Sequence, residues 1–91
     1  MNIRWSESAA EELKSIFEYI GLDSTDAAMR TIQRIHAAID RLVQMPYLGR
    51  KGQKGGIREL VVPGTHYIVM YAIQEETIYL VTILHGTRKR S

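Results

Sequence analysis

HYIVMYAIQEETIYLVTILHGTRKR, residues 66–90, holds two apolar runs joined by the polar linker Gln74-Glu75-Glu76 and closed by a histidine and three cations. β-Branched, aromatic and aliphatic side chains dominate both runs, and a short polar linker between such runs marks a strand pair. Strand side chains alternate with period two, so Tyr67, Val69, Tyr71 and Ile73 share one face while Ile68, Met70 and Ala72 share the other. On the second strand the same rule places Ile78, Leu80 and Leu84 on one side and Tyr79, Val81 and Ile83 on the other. Neither strand has a polar face, so both faces need cover. The apolar sheet runs directly into a charged end, and function is expected near that end.

Upstream, residues 57–62 read as a third strand, ended by the turn Pro63-Gly64-Thr65. Residues 50–56 carry Arg50, Lys51 and Lys54 among three glycines, which predicts a mobile basic loop outside any element. Before it, Ala28, Ile32, Ile35, Ile39 and Leu42 recur at helical spacing behind a cap at Asp23 or Ser24, and Pro46 ends the helix. An earlier helix carries Ala9, Leu13, Ile16, Phe17 and Ile20, capped by Ser6 or Ser8 and stopped by Gly21; Ser8 to Glu11 fits a capping box. Met1 to Trp5 alternates like a brief edge strand. The predicted order β-α-α-β-β-β gives one α+β domain over residues 1–91, a helical hairpin packed on a small, mainly antiparallel sheet. Two helices cover one face of that sheet, so the other should be an apolar surface that a partner fills.

A chain of 91 residues supports one core without metal or disulfide staples, and it contains no cysteine. Thiol catalysis and cysteine-based zinc sites are thereby excluded. The N-terminus has no apolar leader and no run approaches the roughly 18 residues of a membrane span, so a soluble, cytoplasmic protein without membrane contact is expected. Charge is uneven: residues 1–47 carry five cations against seven acids, and residues 48–91 seven cations against three acids. The basic half points to an anionic partner, nucleic acid or an acidic protein segment; solubilising a sheet edge is the plainer alternative.

No glycine-rich phosphate loop has the Walker spacing, and His36, His66 and His85 are not spaced as metal ligands, so neither a metal nor a cofactor is expected. His36 lies on a helix stripe and His66 starts a strand, and both read as packed or boundary residues. His85 follows an apolar strand and precedes Gly86-Thr87-Arg88-Lys89-Arg90. Nearby cations disfavour its charged form, which suits a neutral base beside guanidinium groups able to hold a phosphate. Hydrogen bonding to the sheet, with the terminal cations solvated, is the other reading. Arg58 is equally open between cross-strand pairing with Glu59 or Glu75 and a functional role.

The two helices, Leu42 to Pro46, Gly49-Arg50, Arg58-Glu59-Leu60, Tyr67 to Tyr71 and the closing Ile83-Leu84-His85-Gly86-Thr87-Arg88 together resemble the RelE/ParE superfamily of bacterial type II toxin-antitoxin toxins over essentially the whole chain. The resemblance implies a cognate antitoxin that wraps the toxin and fills its apolar groove, with Phe17, Ile20, Tyr67, Val69, Tyr71 and Tyr79 as contacts. RelE-like members cut messenger RNA on the ribosome, which would assign Arg58, His85 and Arg88 to catalysis. ParE-like members inhibit DNA gyrase, which would make Arg50, Lys51, Arg88, Lys89 and Arg90 the target-binding set. Ile68 stands where RelE-like enzymes often carry arginine after a tyrosine, and no tyrosine follows Arg88. The turn Pro46 to Arg50 matches the ParE-like Pro-x-x-Gly-Arg pattern, and the ParE-like branch is favoured. A non-toxic remnant that keeps antitoxin binding is the third expectation.

Overall fold

A computed structural model describes residues 1–87. Its elements are β1 (Asn2–Trp5), α1 (Glu7–Gly21), α2 (Thr25–Gln44), β2 (Arg50–Lys51), β3 (Arg58–Val61), β4 (Tyr67–Gln74) and β5 (Thr77–His85). The strands form one sheet in the order β1-β5-β4-β3-β2, with β1 parallel to β5 and the other pairs antiparallel.

Each helix begins where a serine can satisfy its first free N–H groups. Ser6 caps α1 by accepting from Ala9 N at 2.9 Å, and Ser24 caps α2 by accepting from Ala27 N at 3.1 Å. Ser6 rather than Ser8 is used because its hydroxyl also donates to the Val81 carbonyl at 2.7 Å, tying the helix start to β5. Gly21 is the last residue of α1 rather than a cap beyond it, and Leu22 closes the helix through its N–H to Ile20 and Tyr19. α2 stops at Gln44, as Pro46 requires.

The core lies between the hairpin and one sheet face. Ile35 and Leu42 from α2 meet Val62, Val69, Tyr71, Ile78 and Leu80, all fully buried. At about 1.5–3 kcal/mol for each large apolar side chain, this layer dominates the fold's stability. A bulge sits in β5: Met70 pairs with Thr82 but Tyr71 with Leu80, leaving Val81 unmatched. The alternation expected along β5 is therefore reset at Val81. Ile78, Leu80 and Ile83 are buried together, and Leu84 turns outward, the reverse of a straight strand.

The basic stretch 50–56 is not wholly a loop. Arg50 and Lys51 form β2 on the β3 edge, opposite Glu59 and Arg58, and Gly52 N extends the ladder to the Ile57 carbonyl at 2.8 Å. A local reading of composition misses this strand because its stability comes from the Arg50–Glu59 ion pair and from the turn before it. The β3–β4 turn depends on Gly64, whose φ of 77° is costly for other residues, with the Arg34 guanidinium packed over it.

Candidate functional site

Three surfaces carry the chemically distinctive residues. The first is the sheet face away from the helices. Cross-strand registry aligns Val61, Ile68 and Leu84 in one row and Ala72 with Tyr79 in another. Val61 is 54% exposed and Tyr79 and Val81 each 37%, so this face presents apolar side chains without cover from α1 or α2. The expected uncovered surface is therefore there, but with different residues. Val69 and Tyr71 are fully buried and Tyr67 nearly so, because they point at the helices; their place is the core, and their accessible neighbours are Ile68, Met70 and Ala72. Among the other contacts expected for a partner, Phe17 and Tyr79 are exposed, and Ile20 packs against the core edge.

The second surface is the basic corner made by β2, β3 and the glycine stretch. Arg50 bends toward Glu59, with Nη2 3.1 Å and Nε 3.3 Å from one carboxylate oxygen. Lys51 stands directly opposite Arg58 in the β2–β3 register. Arg58 is held in place: its Nε donates to the Gly49 carbonyl at 3.0 Å, and its guanidinium carbon lies 5.0 Å from the centre of the Tyr47 ring. Tyr47, Lys51, Lys54 and Arg58 line an open cavity of about 390 Å³.

The third is the C-terminal end of β5. The His85 ring lies 5.5 Å from His66 and edge-on to Tyr67 at 5.2 Å, and its Nδ1 is 2.6 Å from the Thr87 hydroxyl. A hollow of about 290 Å³ beside it is lined by Glu12, Ser15, Tyr19 and Tyr67 among others. The strand edge here extends beyond β1, which pairs only with Thr77 to Leu80. Glu12 of α1 closes it, accepting from Ile83 N at 2.8 Å and from the Thr82 hydroxyl at 2.5 Å.

Arg58 and His85 do not converge. Arg58 pairs with Tyr71 and His85 with Tyr67, so they are four residues apart along β4, about 13 Å at the usual strand rise, with buried Val69 between them. Arg88, Lys89 and Arg90, expected at this end, lie outside the described residues. His36, expected as a packed or boundary residue, is exposed with its ring 5.8 Å from Trp5. The sequence places Lys54 only in the basic stretch and gives Tyr47 and Glu12 no site role, since their contacts depend on how the strands and α1 come together. Among the described residues no group of histidines and carboxylates could hold a metal ion, and no helix is long and apolar enough to cross a membrane.

Residues 3–90 match the family model described as the ParE toxin of the type II toxin-antitoxin system parDE. The protein Y4kP of Sinorhizobium fredii, named as a toxin, is 39% identical over 84 residues, covering 92% of this chain and 86% of its own. Toxin RelE2 of Caulobacter vibrioides is 34% identical over 84 residues, covering 92% and 93%. A solved structure of a chromosomal ParDE system from P. aeruginosa superposes with a TM-score of 0.82 at 23% identity, covering 93% of this chain and 95% of that one, and shares the fold.

Proposed function

The chain belongs to the ParE toxin family of type II toxin-antitoxin systems, which implies an antitoxin partner, and from that premise we propose that it inhibits DNA gyrase until a cognate antitoxin neutralises it. The observation that carries the choice of target is the separation of Arg58 from His85 by four residues of β4. A ribonuclease needs its base and its phosphate-holding cations around one scissile bond. Arg58 and His85 lie on strands either side of β4 and four residues apart along it, with Val69 between, which counts against a shared scissile bond.

The antitoxin surface in this reading is the uncovered sheet face around Val61, Ile68, Leu84 and Tyr79. Covering it removes apolar area from water, each exposed side chain contributing up to about 1.5–3 kcal/mol. The exposed Phe17 on α1 supplies a second contact. Target binding is assigned to the basic half, Arg50 and Lys51 together with Arg88, Lys89 and Arg90.

Pulse-labelling of DNA and protein synthesis in the minutes after induction without antitoxin tests the proposal. DNA synthesis is expected to fail first. If protein synthesis fails first, the ribosome and its mRNA become the target and His85 the residue to mutate. Growth that continues unchanged would mark a non-toxic remnant.

A further inference from the structure

We propose that β1 is a self-association edge, to which a second copy of this chain adds its own β1 antiparallel across a two-fold axis through Ile3. The proposal does not depend on the gyrase reading. β1 ends the strand order, so among the described residues one of its sides has no neighbouring strand. Which backbone groups face that side follows from the ladder to β5. The Asn2 N–H donates to the Glu76 carbonyl at 2.8 Å, and the Ser6 N–H to the Leu80 carbonyl at 3.0 Å. Alternate residues of a parallel strand direct both backbone groups to the same neighbour, so Asn2 and Arg4 serve β5. Ile3 and Trp5 therefore present their N–H and C=O groups to the open side. Two other edge stretches are blunted: Glu12 closes β5 beyond β1, and β2 at the opposite end of the sheet consists of Arg50 and Lys51. From Asn2 to Trp5 there is no proline, lysine or bulge to discourage pairing.

The residues of this edge select one register. A two-fold axis at Arg4 would set Arg4 against Arg4, and like charges directly opposed destabilise a sheet. An axis at Trp5 would run the strand of one copy into the start of α1 at Glu7 of the other. An axis at Asn2 would leave Arg4 and Trp5 without cross-strand neighbours. With the axis at Ile3, Met1 to Trp5 pair along their whole length, and Arg4 falls opposite Asn2 of the second copy. Ile3 and Trp5 already pack against the core, so the joined edges continue the helix-bearing face. Met1, 39% exposed, then lies beside the second copy's half-buried Trp5, where a thioether and an indole pack favourably. Such self-complementarity is what a two-fold interface requires. The basic corner at β2 sits at the far end of each sheet, so the two groups of cations stay apart. So short an edge buries little surface, and the dimer is weak, with a Kd on the order of 10–100 µM.

The test is sedimentation velocity of the purified full chain, with no tag at its N-terminus, from about 5 to about 500 µM. The sedimentation coefficient should rise with concentration toward that of a dimer. Amide exchange at Ile3 and Trp5 should slow over the same range, while Arg4, whose backbone serves β5, stays unchanged. Asn2→Asp puts an acid opposite Arg4 and should tighten the dimer about fivefold, whereas Asn2→Arg should weaken it about tenfold. The double variant Asn2→Arg/Arg4→Asn exchanges the two residues and should restore wild-type affinity, which a general loss of stability would not do. A monomer across the whole range would overturn the proposal. So would a dimer whose Kd ignores both Asn2 variants, or one that forms without slowing exchange at Ile3 and Trp5.

Discussion

The hydroxyl of Tyr71, at the centre of β4, accepts a hydrogen bond from the Gly49 N–H at 2.9 Å and donates one to the Pro46 carbonyl at 2.7 Å. One core side chain thereby fixes the turn from which β2 starts. Gly49 is needed for this approach: a Cβ there would lie 2.8 Å from the Tyr71 ring and hydroxyl and from the Glu59 carbonyl. The positions of Arg50, Lys51 and the Arg58–Gly49 bond all depend on that turn.

Replacing Tyr71 with Phe keeps the ring but leaves the Gly49 N–H and Pro46 carbonyl without this partner. The expected cost is about 1–3 kcal/mol in urea unfolding. Gly49→Ala should destabilise at least as much by steric conflict. Wild-type stability in both variants would remove the latch from the account.

Glu75, in the two-residue turn between β4 and β5, has a φ of 55°, a conformation costly for a residue with a Cβ. Glu75→Gly or Glu75→Asn should raise stability by about 0.5–1 kcal/mol, seen as a higher Tm. A lower Tm in both would show that Glu75 makes a contribution that outweighs its backbone strain.

Glu12→Ala removes the acceptor that closes the β5 edge. Amide exchange at Ile83 should accelerate, and stability should fall by about 1–2 kcal/mol. The freed edge should also raise the tendency to associate, since unpaired strand edges recruit other strands. Unchanged protection at Ile83 would contradict the assignment.

Val61→Asp and Val81→Asp place charge on the exposed sheet face at side chains that contribute little to the core. Each should weaken antitoxin binding at least tenfold in calorimetry, about 1.4 kcal/mol, while leaving Tm near that of the wild type. Full affinity in both variants would move the antitoxin to another surface.

Much of this architecture is legible in the chain. Helical spacing from Ala28 to Leu42, the stop at Pro46, the turn at Pro63-Gly64 and the apolar runs on either side of Gln74-Glu75-Glu76 all correspond to observed elements. What was not legible depends on relationships between distant residues. β2 exists because Arg50 meets Glu59 and Tyr71 reaches Gly49, contacts across 9 and 22 positions that local composition does not encode. The β5 bulge reverses the faces of Ile83 and Leu84, which strict alternation cannot foresee. For the same reason Tyr67, Val69 and Tyr71, read as partner contacts, belong to the core: alternation separates the two faces of β4 without saying which one the helices take. The Lys51–Arg58 opposition appears only once the register is known.

The most direct test of the central claim is supercoiling of relaxed plasmid by purified gyrase in the presence of the purified toxin chain, with and without its antitoxin. Loss of supercoiling that the antitoxin restores is the predicted result. Unimpaired supercoiling at a large molar excess of toxin, in a preparation that arrests growth when expressed, would contradict it.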